Sequence, residues 1–317
     1  MSSLNWGLLS TARINDALLH AGVNAVAVGS RDEAKARAYA DARGIAKAYG
    51  SYEALLADPD IDIIYNSLPN SMHLPWAVRA LEAGKHVLCE KPLSRRAADV
   101  EAAFDVAQRA GRVLTEGFMW RHHPQVQRVQ ELVAEGAIGT LRVIRSDFAF
   151  NLLDMTDVRM QRAMDGGALM DVGSYCVSAS RTFAGGEPVA ASAQRIAGGD
   201  GVDLALTGLL RFDGDVLAVF DCAFTGPARH FVQLLGSEGS LRLADPWHAR
   251  GDQVIEHRGL DPDAAPERIV VPAVNHYALQ IADLEAAARG EKEPRLGRAD
   301  AVGQARALEL LYASAEA

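Results

Sequence analysis

The chain has 317 residues, 49% hydrophobic and 23% charged. That length fits about two domains, and the balance reads as soluble and globular rather than disordered or fibrous. A net charge of −9 argues against nucleic acid or an acidic membrane as a general partner.

No apolar run approaches the ~20 residues of a membrane span. The start, MSSLNWGLLS, lacks the charged and apolar regions of a signal peptide. Cys89, Cys176 and Cys222 lie scattered in apolar runs without metal-ligand spacing. They read as reduced, buried fillers in a cytoplasmic protein.

Up to residue 118 short apolar runs alternate with helical stretches. Strands are expected at Asn5–Leu9, Ala25–Gly29, Ile61–Ser67, His86–Glu90 and Val113–Glu116. Helices are expected at Arg13–Ala21, Asp32–Arg43, Pro75–Ala83 and Ala97–Ala110. This alternation predicts a doubly wound parallel sheet, which places ligands at the carboxyl ends of its strands. Beyond Phe118 the pattern changes. A helix over Pro124–Ala134 and a long strand over Leu141–Leu152 lead to a helix near Gly173–Phe183. Strands follow at Val189–Ile196, Asp203–Phe212, Asp215–Phe224, His230–Leu235 and Ser240–Leu243, several joined by hairpin-type turns. Helices near Asn275–Ala288 and Asp300–Ala315 close the chain. The expected organisation is therefore α/β: residues 1–118 a dinucleotide-binding domain, and 119–317 an α+β domain with a large, mostly antiparallel open sheet.

The first strand opens into Ser10-Thr11-Ala12-Arg13-Ile14-Asn15. A pyrophosphate-binding turn asks for G-x-G-x-x-G there, so that backbone N–H groups approach the phosphates. Ser10, Ala12 and Asn15 stand at the glycine positions, which preserves part of the steric logic. A plain helix start capped by Ser10 or Thr11 is the competing reading. The second strand ends in Ser30-Arg31 where an NAD site commonly has an acidic residue. A hydroxyl and a guanidinium suit a 2′-phosphate, so this end favours NADP over NAD, with Lys35 a further candidate. Two more strand ends carry polar sequence. One is Ser67-Leu68-Pro69-Asn70-Ser71-Met72-His73, and the other is Glu90-Lys91-Pro92. They supply hydrogen-bonding groups where nicotinamide and ribose would lie.

Ser67-Leu-Pro-Asn-Ser-Met-His73, followed by Ala83-Gly-Lys-His-Val-Leu-Cys-Glu-Lys-Pro-Leu93, resembles the Gfo/Idh/MocA oxidoreductases. The resemblance continues through Phe118-Met-Trp-Arg-His-His-Pro124 and Gly166-Gly-Ala-Leu-Met-Asp-Val-Gly-Ser-Tyr175. It implies a Rossmann domain, an α+β domain whose open sheet packs in homodimers or homotetramers, and hydride chemistry on sugars, polyols and related alcohols. Tyr175, where another branch carries His, is similar to the branch of dihydrodiol dehydrogenases, NADP-dependent xylose dehydrogenases and glucose-fructose oxidoreductase.

The resemblance implies Lys91, Tyr175 and Asp171 as catalytic residues. Ser10, Thr11, Ala12, Arg13, Ile14, Ser30, Arg31, Ser67, Leu68, Asn70, His73, Glu90 and Lys91 are the expected cofactor contacts. Trp120, Arg121, Asn151 and Arg159 are expected near substrate, Trp120 and Arg121 as a stacking wall, with an interdomain anchor an equal alternative for that pair. Asp171 and Tyr175, four apart, would share a helix face. His122, His123 and Asp245-Pro246-Trp247-His248 read as structural. Two departures stand out: Asn15 in the fingerprint, and a short segment from Arg13 to Asn24. Rival functions are a redox-silent regulatory dinucleotide binder and an NAD-dependent glycoside-cleaving enzyme.

Overall fold

A computed structural model describes residues 4–316. It divides into two compact units, residues 1–118 with 277–305, and 119–276 with 306–317. The return of 277–305 to the first unit differs from the expected division, which gave all of 119–317 to the second.

In the first unit, β1 (Trp6–Leu9), α1 (Asn15–His20), β2 (Ala25–Gly29), α2 (Glu33–Asp41), β3 (Lys47–Tyr49) and α3 (Tyr52–Leu56) form the first half. β4 (Ile63–Asn66), α4 (His73–Glu82), β5 (His86–Cys89), α5 (Ala97–Ala110) and β6 (Leu114–Glu116) form the second. The sheet is parallel with order β3-β2-β1-β4-β5-β6. Strand order reverses between β1 and β4, the crevice where such sheets bind ligands. The central strands are buried on both faces, which is why they read as continuous apolar runs. β3 and α3 were not expected. β3 has three residues, all half-buried, too short to show a period. Ser51 caps α3 through Ala54 N–H, a start signal within a polar stretch.

The second unit has α6 (Pro124–Ala134), β7 (Leu141–Ala149), α7 (Ser174–Ala184), β8 (Ala190–Ala197), β9 (Asp203–Phe212) and β10 (Val216–Ala223). It continues through β11 (Arg229–Gly236), β12 (Ser240–Leu243), β13 (Gln253–Arg258) and β14 (Glu267–Val271). Two helices end the chain, α8 (His276–Ala288) and α9 (Arg298–Ala315). The eight strands run in the order β14-β13-β12-β11-β7-β10-β9-β8. All pairs are antiparallel except β7 with β10. β13 and β14 were missed; each is short and partly exposed, so hydrophobic alternation is weak there.

The sheet's two faces differ. One presents Ile144, Ala218, Phe220 and Leu234, all buried, and α7 packs along β7. The other presents Val143, Arg145, Leu209, Leu217 and Val219; Leu209 is 41% and Leu217 39% exposed. On this face Arg229 forms ion pairs with Asp147 (3.2 Å) and with Asp221. Burial and then the Asp221 charge push the Asp147 carboxyl up, against the Arg229 guanidinium. Among the described residues no helix is long and apolar enough to cross a membrane.

Candidate active site

The ends of β1 and β4 are joined at the strand-order switch by a buried network. Ser10 Oγ and Ser67 Oγ lie 2.8 Å apart. Asn15 Nδ2 donates to Ser10 O (2.9 Å), and Ser67 Oγ donates to Asn15 Oδ1 (2.6 Å). Ala12 N–H donates to Ser10 Oγ (3.0 Å). Ser10 holds φ at 144°, in the region that favours glycine. Asn15 is fully buried, so its bulk points into the protein rather than toward a ligand. Thr11 and Ala12 are half-buried, and Arg13 and Ile14 are exposed. The turn therefore presents its middle to solvent while its polar side chains tie it down from within. That arrangement fits a pyrophosphate held by backbone groups. α1 starts at Asn15 and spans only six residues, in keeping with the short segment noted in the sequence.

At the end of β2, Ser30 is buried and its Oγ accepts Asp32 N–H (3.3 Å). Asp32 caps α2, its Oδ1 accepting Lys35 N–H (3.1 Å). That carboxylate is committed to the helix start. The exposed Arg31 is the charged group presented here, and its guanidinium interacts with the Tyr52 hydroxyl, whose titration burial pushes up. A 2′-phosphate suits this donor set better than a bare 2′-hydroxyl.

After β4, Leu68 is buried and Asn70 opens a short 3-10 turn. His73 is almost fully buried: Nδ1 sits 2.8 Å from Pro92 O and Nε2 2.7 Å from Leu68 O. Its ring thus clamps the loop after β4 to the loop after β5. This makes His73 a brace behind the strand ends. A neutral imidazole carries one N–H, so both carbonyls receive a proton only from imidazolium.

After β5, Glu90 and Lys91 are half-buried and the Lys91–Pro92 peptide is cis. Glu90 Oε1 accepts from Tyr65 OH (2.6 Å), and Oε2 from Lys91 N–H (3.3 Å). Burial first, then the Glu90 charge, pushes the Tyr277 phenol upward. Tyr65 and Tyr277 were missed as neighbours of Glu90, since both lie far from it in sequence. Cys89 beneath is fully buried and burial raises its thiol well above its ordinary range, consistent with a packing role.

In the second unit, Gly166 and Gly167 precede a π-helical turn over Leu169–Gly173 that runs into α7. A Cβ on Gly166 would lie 2.3 Å from Arg159 O, and one on Gly167 2.3 Å from Asp203 Oδ1. Both glycines are explained by close approach of the protein's own atoms. Asp203 Oδ2 accepts Leu169 N–H (2.6 Å), which secures the start of the π turn. Such turns widen the helix and recur at functional sites. They also loosen the face-sharing expected of Asp171 and Tyr175. Asp171 is half-buried and pairs with Arg159 Nε at 2.8 Å. Arg159 also pairs with Asp157 (3.2 Å). Tyr175 is 8% exposed, with its OH 3.5 Å from Met119 Sδ. Its ring meets Phe148 (5.5 Å) and Trp247 (5.6 Å).

Trp120 is fully buried, packed on Trp247 (5.3 Å) and Phe183 (6.2 Å). The indole belongs to the interior of its unit. Arg121 lies over the Trp120 ring at 5.8 Å. Asn151 is exposed just past β7. His123 Nδ1 accepts Gln125 N–H (3.1 Å) and caps α6. Trp247, read as structural, is also a wall of the Tyr175 environment. An aromatic residue in a loop carries no period, so only the fold could place it there.

Residues 6–118 match the oxidoreductase family with an NAD-binding Rossmann fold, and residues 126–242 match the GFO/IDH/MocA C-terminal domain. The chain belongs to this family. It is 36% identical to D-xylose 1-dehydrogenase (NADP(+)) 2 of Haloferax volcanii, over 98% of this chain and 97% of that protein. It is 33% identical to trans-1,2-dihydrobenzene-1,2-diol dehydrogenase of Bos taurus, over 83% and 82% of the two chains. Among solved structures, a 3-ketoreductase from Actinomadura kijaniata in complex with NADP and TDP-benzene superposes with a TM-score of 0.90. That pair is 29% identical, over 99% of this chain and 98% of the other. The first unit is thus the dinucleotide-binding domain of a Gfo/Idh/MocA oxidoreductase.

Proposed function

We propose that this oxidoreductase transfers a hydride between NADP(H) and a hydroxyl-bearing carbon of a sugar, polyol or cyclic diol. The observation that carries the proposal is Glu90-Lys91 at the carboxyl end of β5, next along the sheet from the β1–β4 switch. Family membership and the activities of its relatives support the same reading.

The turn from Ser10 to Ile14 cradles the pyrophosphate, and Ser30 with Arg31 takes the 2′-phosphate. Ser67, Leu68, Asn70 and Glu90 face the rest of the dinucleotide, and His73 braces them. The bound nicotinamide supplies the hydride chemistry. Tyr175 moves the proton at its hydroxyl. A free phenol titrates near ~10 and is a poor base at neutral pH, so it needs help. Lys91 polarises the reacting oxygen. Glu90 orients the Lys91 backbone through the contact described above. Asp171, steadied by Arg159, hydrogen-bonds substrate hydroxyls.

We assign the exposed face of the eight-stranded sheet to a second copy of the chain, forming a homodimer or homotetramer. Leu209, Leu217 and Val219 supply the apolar centre of that face, and an open sheet of this size calls for a cover. The three free, buried cysteines accord with a reducing cytoplasm.

The test is absorbance at the reduced-nicotinamide band with NADP+ and NAD+ in parallel, against aldoses, polyols and cyclic diols. Growth with NADP+ and one substrate class supports the proposal. Cofactor binding without turnover on any member of the panel would move the protein to a regulatory role. A retained cofactor with turnover and no net absorbance change would indicate glycoside cleavage.

A further inference from the structure

Three side chains in the second unit converge on the far side of the Phe148 ring from Tyr175. His230 projects from β11, and Asp245 and His248 stand in the loop after β12. All three are half-buried. His230 Nε2 lies 3.4 Å from Asp245 Oδ1, and His248 Nδ1 lies 3.5 Å from the same oxygen. One ligand atom from each residue falls within 4.8 Å of the others.

These separations are longer than good N–H···O hydrogen bonds, which cluster near ~2.9–3.0 Å. They match a different geometry. Ligand atoms held ~2.0–2.1 Å from a tetrahedral zinc lie roughly 3.3–3.4 Å from one another. Two of the three edges are already close to that value.

The group is also held in place before any ion arrives. Asp245 Oδ1 accepts His248 N–H (3.1 Å) and Oδ2 accepts Arg250 N–H (3.5 Å). Trp247, between the two loop ligands in sequence, is fully buried and donates to Asp147 O (3.3 Å). Phe148 meets the His230 ring at 6.3 Å and the His248 ring at 5.7 Å, both edge-on, which fixes both imidazole planes. A carboxylate beside the two imidazoles disfavours an anion and favours a cation. Two nitrogens and one oxygen suit a borderline first-row ion, not magnesium or calcium.

We propose that His230 Nε2, Asp245 Oδ1 and His248 Nδ1 bind one divalent transition-metal ion of the zinc class. Three protein ligands leave the fourth position of the tetrahedron for water or a substrate oxygen. The ion would pin the loop after β12 to β11. That loop carries Trp247, which with Phe148 forms the wall against Tyr175. The site therefore steadies the surroundings of Tyr175, and it stands independently of the reaction proposed above.

The test uses the full chain, stripped with a chelator and titrated with Zn2+, then with Co2+ as a spectroscopic probe. We expect one equivalent bound, visible d–d bands of tetrahedral intensity, and a raised Tm with Zn2+ but not with Mg2+. His230→Ala, His248→Ala and Asp245→Asn should each lower the affinity at least ten-fold and abolish the Tm shift. Histidine-edited 15N spectra of the unaltered chain read the ligands without any variant, and two imidazole nitrogens should move on Zn2+ addition. Failure to bind Zn2+ would overturn the proposal. So would binding that is unchanged in all three variants, or spectra in which other histidines move.

Discussion

Asn15 occupies the third glycine position of the nucleotide fingerprint, where a small residue lets helix and strand approach. Restoring glycine there ought to help, on pattern alone. The structure predicts the reverse. Asn15 is fully buried and makes two hydrogen bonds, to Ser10 O and from Ser67 Oγ. In Asn15→Gly the buried Ser10 carbonyl loses this donor, a loss of about 1–3 kcal/mol. Ser67 Oγ keeps Ser10 Oγ at 2.8 Å, so its share is smaller, about 0.5–1.5 kcal/mol. Glycine in the first turn of α1 adds up to ~1 kcal/mol. The sum is roughly 2–5 kcal/mol, a large part of a typical domain's 5–15. The network also keeps Ser10 at φ 144°, a conformation that costs on the order of 1–3 kcal/mol and persists only when surrounded by constraints. Urea unfolding should show the lower midpoint, and NADP+ titration by fluorescence quenching should show weaker binding. An Asn15→Gly variant as stable as the parent, with undiminished cofactor affinity, would refute the reasoning.

Lys91→Met should reduce turnover roughly 10²–10⁴-fold while cofactor still binds; single-turnover kinetics with NADP+ quenching measure both, and normal turnover would remove Lys91 from the mechanism. Arg31→Ala should shift preference from NADP+ toward NAD+ by roughly ten- to hundred-fold, as loss of charge-assisted bonds implies; the ratio of kcat/KM for the two cofactors reads it. Gly166→Ala should disturb the Arg159–Asp171 pair, because the new Cβ falls 2.3 Å from Arg159 O; we expect a raised substrate KM together with a lower Tm. His86 is held neutral, burial and then the Arg112 charge lowering its pKa to about 4. Its contribution is full above the unfolded value near ~6.5 and is lost as pH falls toward 4, by about 1–3 kcal/mol after allowing for partial exposure. His86→Gln should flatten urea stability across that window, and an unchanged slope would count against the assignment.

The strands of the nucleotide domain were legible because burial on both faces writes them as apolar runs. Their polar endings were legible for a related reason. A charged pair after Cys89 or a serine-asparagine loop after Asn66 has no packing purpose in a buried sheet, so it points to the ligand edge. β3, β13 and β14 were not legible, being short and partly exposed, where propensity is weak and pairing decides. The extent of the first unit was hidden for another reason. Nothing in the composition of 277–305 says which core its helices join, yet Leu284 and Ala301 pack with first-unit strands.

Side-chain partnerships were the least legible part of the site, and Glu90 shows why. Its neighbour Lys91 could be read from adjacency, but Tyr65 reaches it only because β4 and β5 are paired in register, Tyr65 opposite Leu88. Asp171 shows the same limit from the other direction. Helical spacing put it with Tyr175, whereas the π turn intervenes and Arg159 takes the carboxylate. The glycines before that turn leave space that the Arg159 carbonyl and the Asp203 carboxylate fill. Motifs therefore named the candidate residues, while the side chains that contact them came from registers and helix irregularities. Variants of those tuning groups, Tyr65 and Arg159 above all, are where this chain's preference within its family should be sought.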